Sequence, residues 1–267
     1  IDKERQNADL LMARMIQRLL KETKGQLVSF NGGTKDNAIP RECEASLIYE
    51  SDEEAAKAEE LACELAETYA EELTPAEPDF SCEISCETNR TAEAIPQDAA
   101  KEFICAMRLA PNGIQKRNIK MDGFVVVSLN LGVVRTEEDR IVMIFSPRSS
   151  VASLQEDTKE RLNTLAETFG FTVSHSSEYP GWSFKEDSPV REICKESYKE
   201  LFGEDLKIEA IHAGLECGLF SDAIKGLDAI AIGPTIANCH TPDEYLTLDS
   251  FERFYEFLKD ILSRLAK

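Results

Sequence analysis

Five apolar residues, Val125, Val127, Leu129, Leu131 and Val133, fall on every second position of one stretch, with smaller or polar residues between several of them. Strand side chains alternate between two faces, so this period predicts a strand with one face turned to a core. Thr136-Glu137-Glu138-Asp139 then reads as a turn and residues 141–145 as the returning strand. A helix is expected on each side of this pair. The first covers 96–109, with Pro96 in its first turn. The second covers 151–169 and stops at Gly170, after which residues 171–173 begin a further strand.

The same order can be read earlier in the chain. Ala8, Leu11, Met12, Met15, Ile16 and Leu19 form one apolar stripe at helical spacing. A strand at 27–30, the turn-rich Asn31-Gly32-Gly33-Thr34 and a strand at 42–49 follow. Next comes a helix with Ala55, Ala58, Ala62, Leu65, Ala66 and Tyr69 on one face, then a strand at 80–87. The expected fold is therefore α+β, built from two α-β-β-α-β halves, about 1–90 and 91–182, each with helices on one sheet face. The halves share an order of elements and no residue-level identity, so two unrelated α+β segments would read alike.

From Ser188 the rhythm changes. Ser188-Pro189 opens a helix that stops at Gly203, a strand is expected at 206–211, and a short helix at 215–224. Residues 227–232 are almost continuously apolar, which suits a buried parallel strand. Asp249 and Glu252 resemble a capping box for a last helix. Residues 183–267 thus read as a β-α-β-α tail, too short for a complete α/β domain, that completes a sheet whose other strands lie elsewhere.

With 50 Asp and Glu against 30 Lys and Arg, the formal charge is −20. Such a surface repels phosphate backbones, which argues against a nucleic-acid partner. No stretch is apolar enough to span a bilayer, and no membrane partner is expected. The charged start lacks a secretory signal region. Without an initiator Met, the chain reads as processed or as beginning inside something longer. Eight Cys residues include no Cys-x-x-Cys pair, and free thiols in a reducing cytoplasm are expected.

The chain has three His. His240 lies in the loop after the expected strand 227–232, at the end of the strand where α/β sheets place ligands. A neutral imidazole there can bind Zn²⁺ or simply face solvent. His212 enters Ala213-Gly214-Leu215-Glu216-Cys217-Gly218, a strand-to-helix turn whose backbone N–H groups suit a carboxylate, or whose glycines serve tight packing. His175 reads as structural. Arg148, at a strand end, could grip a carboxylate with both arms of its guanidinium. Asn37, before Ala38-Ile39-Pro40, reads as turn chemistry.

Three strings together resemble the aminoacyl-histidine dipeptidases, in the metallopeptidase clan of carboxypeptidase G and succinyl-diaminopimelate desuccinylase. They are Phe30-Asn31-Gly32-Gly33-Thr34 with Asn37-Ala38-Ile39-Pro40-Arg41; Ser128-Leu129-Asn130-Leu131-Gly132; and 211–220 with Gly233-Pro234-Thr235 and His240-Thr241-Pro242-Asp243-Glu244. Tyr179-Pro180-Gly181-Trp182 also fits. The resemblance implies a lid domain at 1–182 and the C-terminal segment of a zinc-peptidase catalytic domain at 183–267. It implies hydrolysis of Xaa-His and related dipeptides by a water held between two zincs, with Co or Mn as substitutes, and deprotonated by a Glu. His240 would be a metal ligand, Arg148 and the Gly214 backbone would hold the substrate carboxylate, and Asn37 would touch substrate from the lid. Related lids pair, so a homodimer is implied, although a doubled lid could imitate that dimer within one chain. The family's His-x-Asp motif, its Glu base and its Gly-His-Ser-Gly string are not found here. The chain is therefore expected to be inactive alone; a non-catalytic lid-type binding or dimerisation module is the alternative.

Overall fold

The computed structural model describes residues 5–73, 76–119, 123–176, 180–182, 184–209, 216–238 and 243–266. It divides into two compact units, Ile1–Ser177 and Glu178–Lys267.

In the first unit the elements run α1 (Ala8–Glu22), β1 (Gln26–Gly32), β2 (Cys43–Ile48), α2 (Asp52–Leu73), α3 (Gln97–Leu109), β3 (Gly113–Asn118), β4 (Phe124–Thr136), β5 (Ile141–Ser149) and α4 (Ala152–Phe169). Asn7 starts α1 by accepting from the Asp9 and Leu10 N–H groups, which would otherwise lack partners in the first turn. Its own amide donates to the Leu131 carbonyl at 2.8 Å, so the helix start is tied to β4. Gly170 ends α4 in the left-handed region, at φ 70°.

All strand pairs are antiparallel. β4 is the long central strand. β5 lies along one side of it, while β3 and β1 pair with successive parts of the other side, and β2 extends the sheet from β1. The two expected halves therefore share one five-stranded sheet.

The helices bury the sheet face that carries Phe30, Leu131 and Val134. Ala13, Ile16 and Leu19 of α1, Ala58, Ala62 and Tyr69 of α2, and Phe103, Ile104 and Met107 of α3 join them in one core. The Phe30 and Phe103 rings meet edge to face, 5.4 Å apart. Burying such a side chain fully stabilises by about 1.5–3 kcal/mol. An exposed pair such as Arg18–Glu22 contributes about 0.2–1 kcal/mol, so the core, not surface charge, holds this unit together.

Two expected strands are not formed. Phe80, Cys82 and Ile84 of the segment 80–87 do pack on the core, but the segment has no regular structure and is not part of the sheet. Burial reproduced the alternation without a ladder. Residues 171–173 lie past the Gly170 cap, where the Phe171 N–H bonds the Ala166 carbonyl and its ring stacks on Phe169. In compensation β3 forms from a segment not expected to be a strand.

The second unit contains α5 (Pro189–Phe202), α6 (Glu216–Ala223), a two-stranded β6 (Ile236–Ala237) and β7 (Tyr245–Leu246), and α7 (Leu248–Leu265). Ser188 caps α5 by accepting from the Arg191 N–H, and Gly203 ends it at φ 72°. Cys194, Phe257 and Ile261 form the buried contact of α5 with α7, flanked by Tyr198, Phe202, Leu206 and Ile230. Asp260 accepts from Ser197 and Arg264, both at 2.6 Å, pinning the same pair. The expected strands at 206–211 and 227–232 are not strands where described; a ladder needs a neighbour alongside, and the described part of this unit supplies none. The start of α7 also differs from expectation: Thr247 precedes it and exchanges hydrogen bonds with Ser250, while Asp249 and Glu252 lie inside the helix.

Candidate functional site

The alternation of β4 gives its sheet two unlike faces. Leu129 and Leu131 face the helices, so Ser128 and Asn130 point to the other side. Residues opposite each other on antiparallel strands share a face. Ser128 is opposite Arg148 and Asn130 is opposite Ser146, with no register shift between them. Arg148 therefore projects from the same face as Asn130.

The loop between β1 and β2 is seated on that face. Asn130 donates from Nδ2 to the Asp36 carbonyl at 3.0 Å and to the Ala38 carbonyl at 2.7 Å. A hydrogen bond from the Ala38 N–H to the Lys35 carbonyl closes the turn that carries Asn37. Two glycines let the loop come this close. A Cβ on Gly132 would collide with the Asp36 backbone, and one on Gly33, which sits at φ +68°, would collide with the Gly132 carbonyl. Beside the loop lies an open cavity of about 820 Å³, lined among others by Lys35, Asp36, Asn37, Val133, Arg135 and Ile144.

Of the four residues singled out in the sequence, the fold thus brings two to one sheet face: Asn37, exposed on its turn, and Arg148, half-buried on β5. Gly214 and His240 lie outside the described residues, as does His212. His175 is exposed and meets the Asn163 side chain at 3.0 Å. Gly218 is buried against the Pro180 carbonyl, so its part in the Gly-x-x-x-Gly spacing is close packing. Asn130 was not singled out by itself. Its signal in the sequence is a carboxamide on the alternate, non-core face of an apolar strand, where burial of a polar group is costly unless it is satisfied.

Among the described residues, no three of His, Cys, Asp and Glu come together as a metal site. These residues alone do not fit a paired metal centre. The described cysteines are free thiols. No described helix is long and apolar enough to cross a membrane.

Comparison with known proteins extends this picture. Residues 33–264 match the peptidase family M20/M25/M40. The chain is 32% identical over 263 residues to the cytosol non-specific dipeptidase of Escherichia coli (strain K12), a match covering 97% of this chain and 53% of that protein. It superposes on the crystal structure of aminoacylhistidine dipeptidase from Vibrio alginolyticus with a TM-score of 0.84 at 32% identity, covering 98% of this chain and 53% of that one. The chain spans about half the length of the relatives it matches.

Proposed function

The chain belongs to peptidase family M20/M25/M40, and from that premise we propose that it is the lid and C-terminal catalytic part of a metal-dependent dipeptidase acting on Xaa-His and related dipeptides. Residues 1–182 are read as the lid and 183–267 as the catalytic segment. The observation that carries the proposal is the shared sheet face of Arg148 and the Asn37 turn; an open cavity lies beside the turn.

In this reading the Arg148 guanidinium donates two parallel hydrogen bonds to the dipeptide's terminal carboxylate, the geometry a planar fork favours. The Gly214 N–H adds a further donor, and Asn37 contacts the substrate from the lid. His240 is the one metal ligand this chain supplies. Zinc is the proposed metal, with cobalt or manganese as substitutes. The remaining ligands and the general base would come from elsewhere in the complete protein. The exposed apolar side chains of α7, Leu248, Phe251, Tyr255 and Leu262 among them, support the view that the second unit belongs to a larger domain. Self-association through the lid and a cytoplasmic location complete the proposal; the second is in keeping with the name of the Escherichia coli relative.

The test is hydrolysis of a Xaa-His dipeptide by the full-length protein. Activity should be lost on chelation, return with Zn²⁺, Co²⁺ or Mn²⁺, and drop to near background in His240→Ala. The 267-residue chain alone should stay at background with the same metals, because one imidazole does not make a preorganised metal site. Full turnover by His240→Ala, or by the isolated chain, would refute the assignment.

A further inference from the structure

We propose that Asn130 is a positioning residue for substrate: with both hydrogens of its amide it clamps the peptide carbonyls on either side of Asn37 and so fixes where the Asn37 side chain stands relative to Arg148. The proposal rests on the reading of Asn37 and Arg148 as substrate contacts.

The geometry leaves Asn130 little choice of orientation. Its side chain is buried, with 8% of the residue exposed. Both Nδ2 hydrogens are used, on Asp36 and Ala38, while Oδ1 is buried without a partner among the described residues. Turning the amide over would set Oδ1 against two carbonyl oxygens and strand both donors, a loss on both counts. The unpartnered oxygen is thus the cost of using the nitrogen. A residue serving only to fill the sheet face would need no such arrangement, since an apolar side chain of similar shape would avoid the buried orphan.

What Asn130 holds is equally specific. Asp36 and Ala38 flank the exposed Asn37, and the turn is closed by a single backbone hydrogen bond, 3.2 Å from the Ala38 N–H to Lys35. A turn so lightly braced samples several conformations unless it is tied to something rigid. β4 is the most extensively paired strand of the sheet, with neighbours on both sides. Asn130 also lies one same-face step from Ser128, which is opposite Arg148. One strand therefore registers both proposed substrate contacts against each other.

Asn130→Asp is the informative variant, because it keeps the shape and replaces two donors by an oxygen facing two carbonyls. In the full-length, metal-loaded protein we expect faster hydrogen exchange at the 35–38 amides. We also expect KM for a Xaa-His dipeptide to rise about 10-fold, with kcat nearly unchanged, as for loss of a contact made equally in ground and transition states. In an Asn37→Ala background, Asn130→Asp should have no further effect on KM, because the residue acts through Asn37. Faster exchange with unchanged KM would overturn the proposal, leaving a clamp without a substrate role. Additive KM effects in the double variant would overturn it too, by showing that Asn130 does not act through Asn37. If Asn37→Ala alone leaves both constants unchanged, the substrate role of Asn37 fails and the proposal with it, while the exchange result still reports whether the clamp exists.

Discussion

Asp9 lies directly against Gly32: a methyl group on Gly32 would collide with the Asp9 Oδ1. The residue is completely buried, and among the described residues neither carboxyl oxygen has a full hydrogen-bond partner. Burial pushes its pKa up to about 7, and the neighbouring Cys43 thiol offsets only part of this. The same burial, together with the Asp9 charge, pushes the Cys43 thiol upward, so this cysteine stays protonated and unreactive.

The raised pKa gives a pH dependence of definite sign. The folded state keeps a proton on Asp9 that the unfolded chain, with an ordinary value near 3.8, releases. Stability is therefore lost as pH rises from about 4 to 7 and stays lower above that, by about 4 kcal/mol at most. Asp9→Asn should remove this component. Urea unfolding of both proteins at pH 4 and pH 8 checks it: the variant should be distinctly more stable than wild type at pH 8 and close to it at pH 4. A constant difference between the two would contradict the prediction.

Among the described residues, Tyr69 is another buried polar group without a hydrogen-bond partner. It is 1% exposed and carries the Arg14 guanidinium 4.6 Å from its ring centre, yet its hydroxyl bonds to none of the described residues. Tyr69→Phe keeps the ring and removes the orphan, so it should be neutral or stabilise by up to about 1 kcal/mol. Tyr69→Ala should cost about 3–5 kcal/mol, by analogy with other buried aromatics. Thermal unfolding separates the two. A large loss in Tyr69→Phe would show that the hydroxyl has a role in the fold.

The seat of the Asn37 turn can be tested sterically. Gly132→Ala should destabilise by about 1–3 kcal/mol, because the added methyl meets the Asp36 backbone and not a side chain able to swing away. It should also perturb the amide resonances of residues 34–38. Gly233→Ala, where no described residue lies within 4 Å of the added methyl, is the control and should change stability by less than about 0.5 kcal/mol. Equal effects at the two glycines would argue against a closely seated loop.

Helices were legible because their signals are local. The stripe of α1, Ser188-Pro189 at the start of α5, and Gly170 and Gly203 in left-handed caps all lie within a few residues of what they specify. Strands are less legible because a ladder depends on a neighbour that can lie far along the chain. Phe80, Cys82 and Ile84 alternate as a strand would and pack on the core, yet form none, while Gly113-Ile114-Gln115-Lys116-Arg117-Asn118 has almost no apolar alternation and becomes β3 by pairing with β4. For the site, Arg148 and Asn37 came from motif resemblance, not from any spacing. They are 111 positions apart, and only the β4–β5 register and the Asn130 bonds reveal that they share a face. Asn130 itself could be read in the sequence only as a polar interruption in a strand.

The most direct test of the central claim, that Arg148 grips a dipeptide's terminal carboxylate, compares one substrate in two forms. The full-length protein is assayed on a Xaa-His dipeptide and on the same dipeptide amidated at its C-terminus, with wild-type and Arg148→Ala enzyme. A charge-assisted hydrogen bond is worth about 1.5–3 kcal/mol. Wild type should therefore prefer the free acid by about 10- to 100-fold in kcat/KM, and Arg148→Ala should lose most of that preference by losing activity on the acid alone. Equal turnover of acid and amide by wild type, or an undiminished preference in Arg148→Ala, would contradict the account.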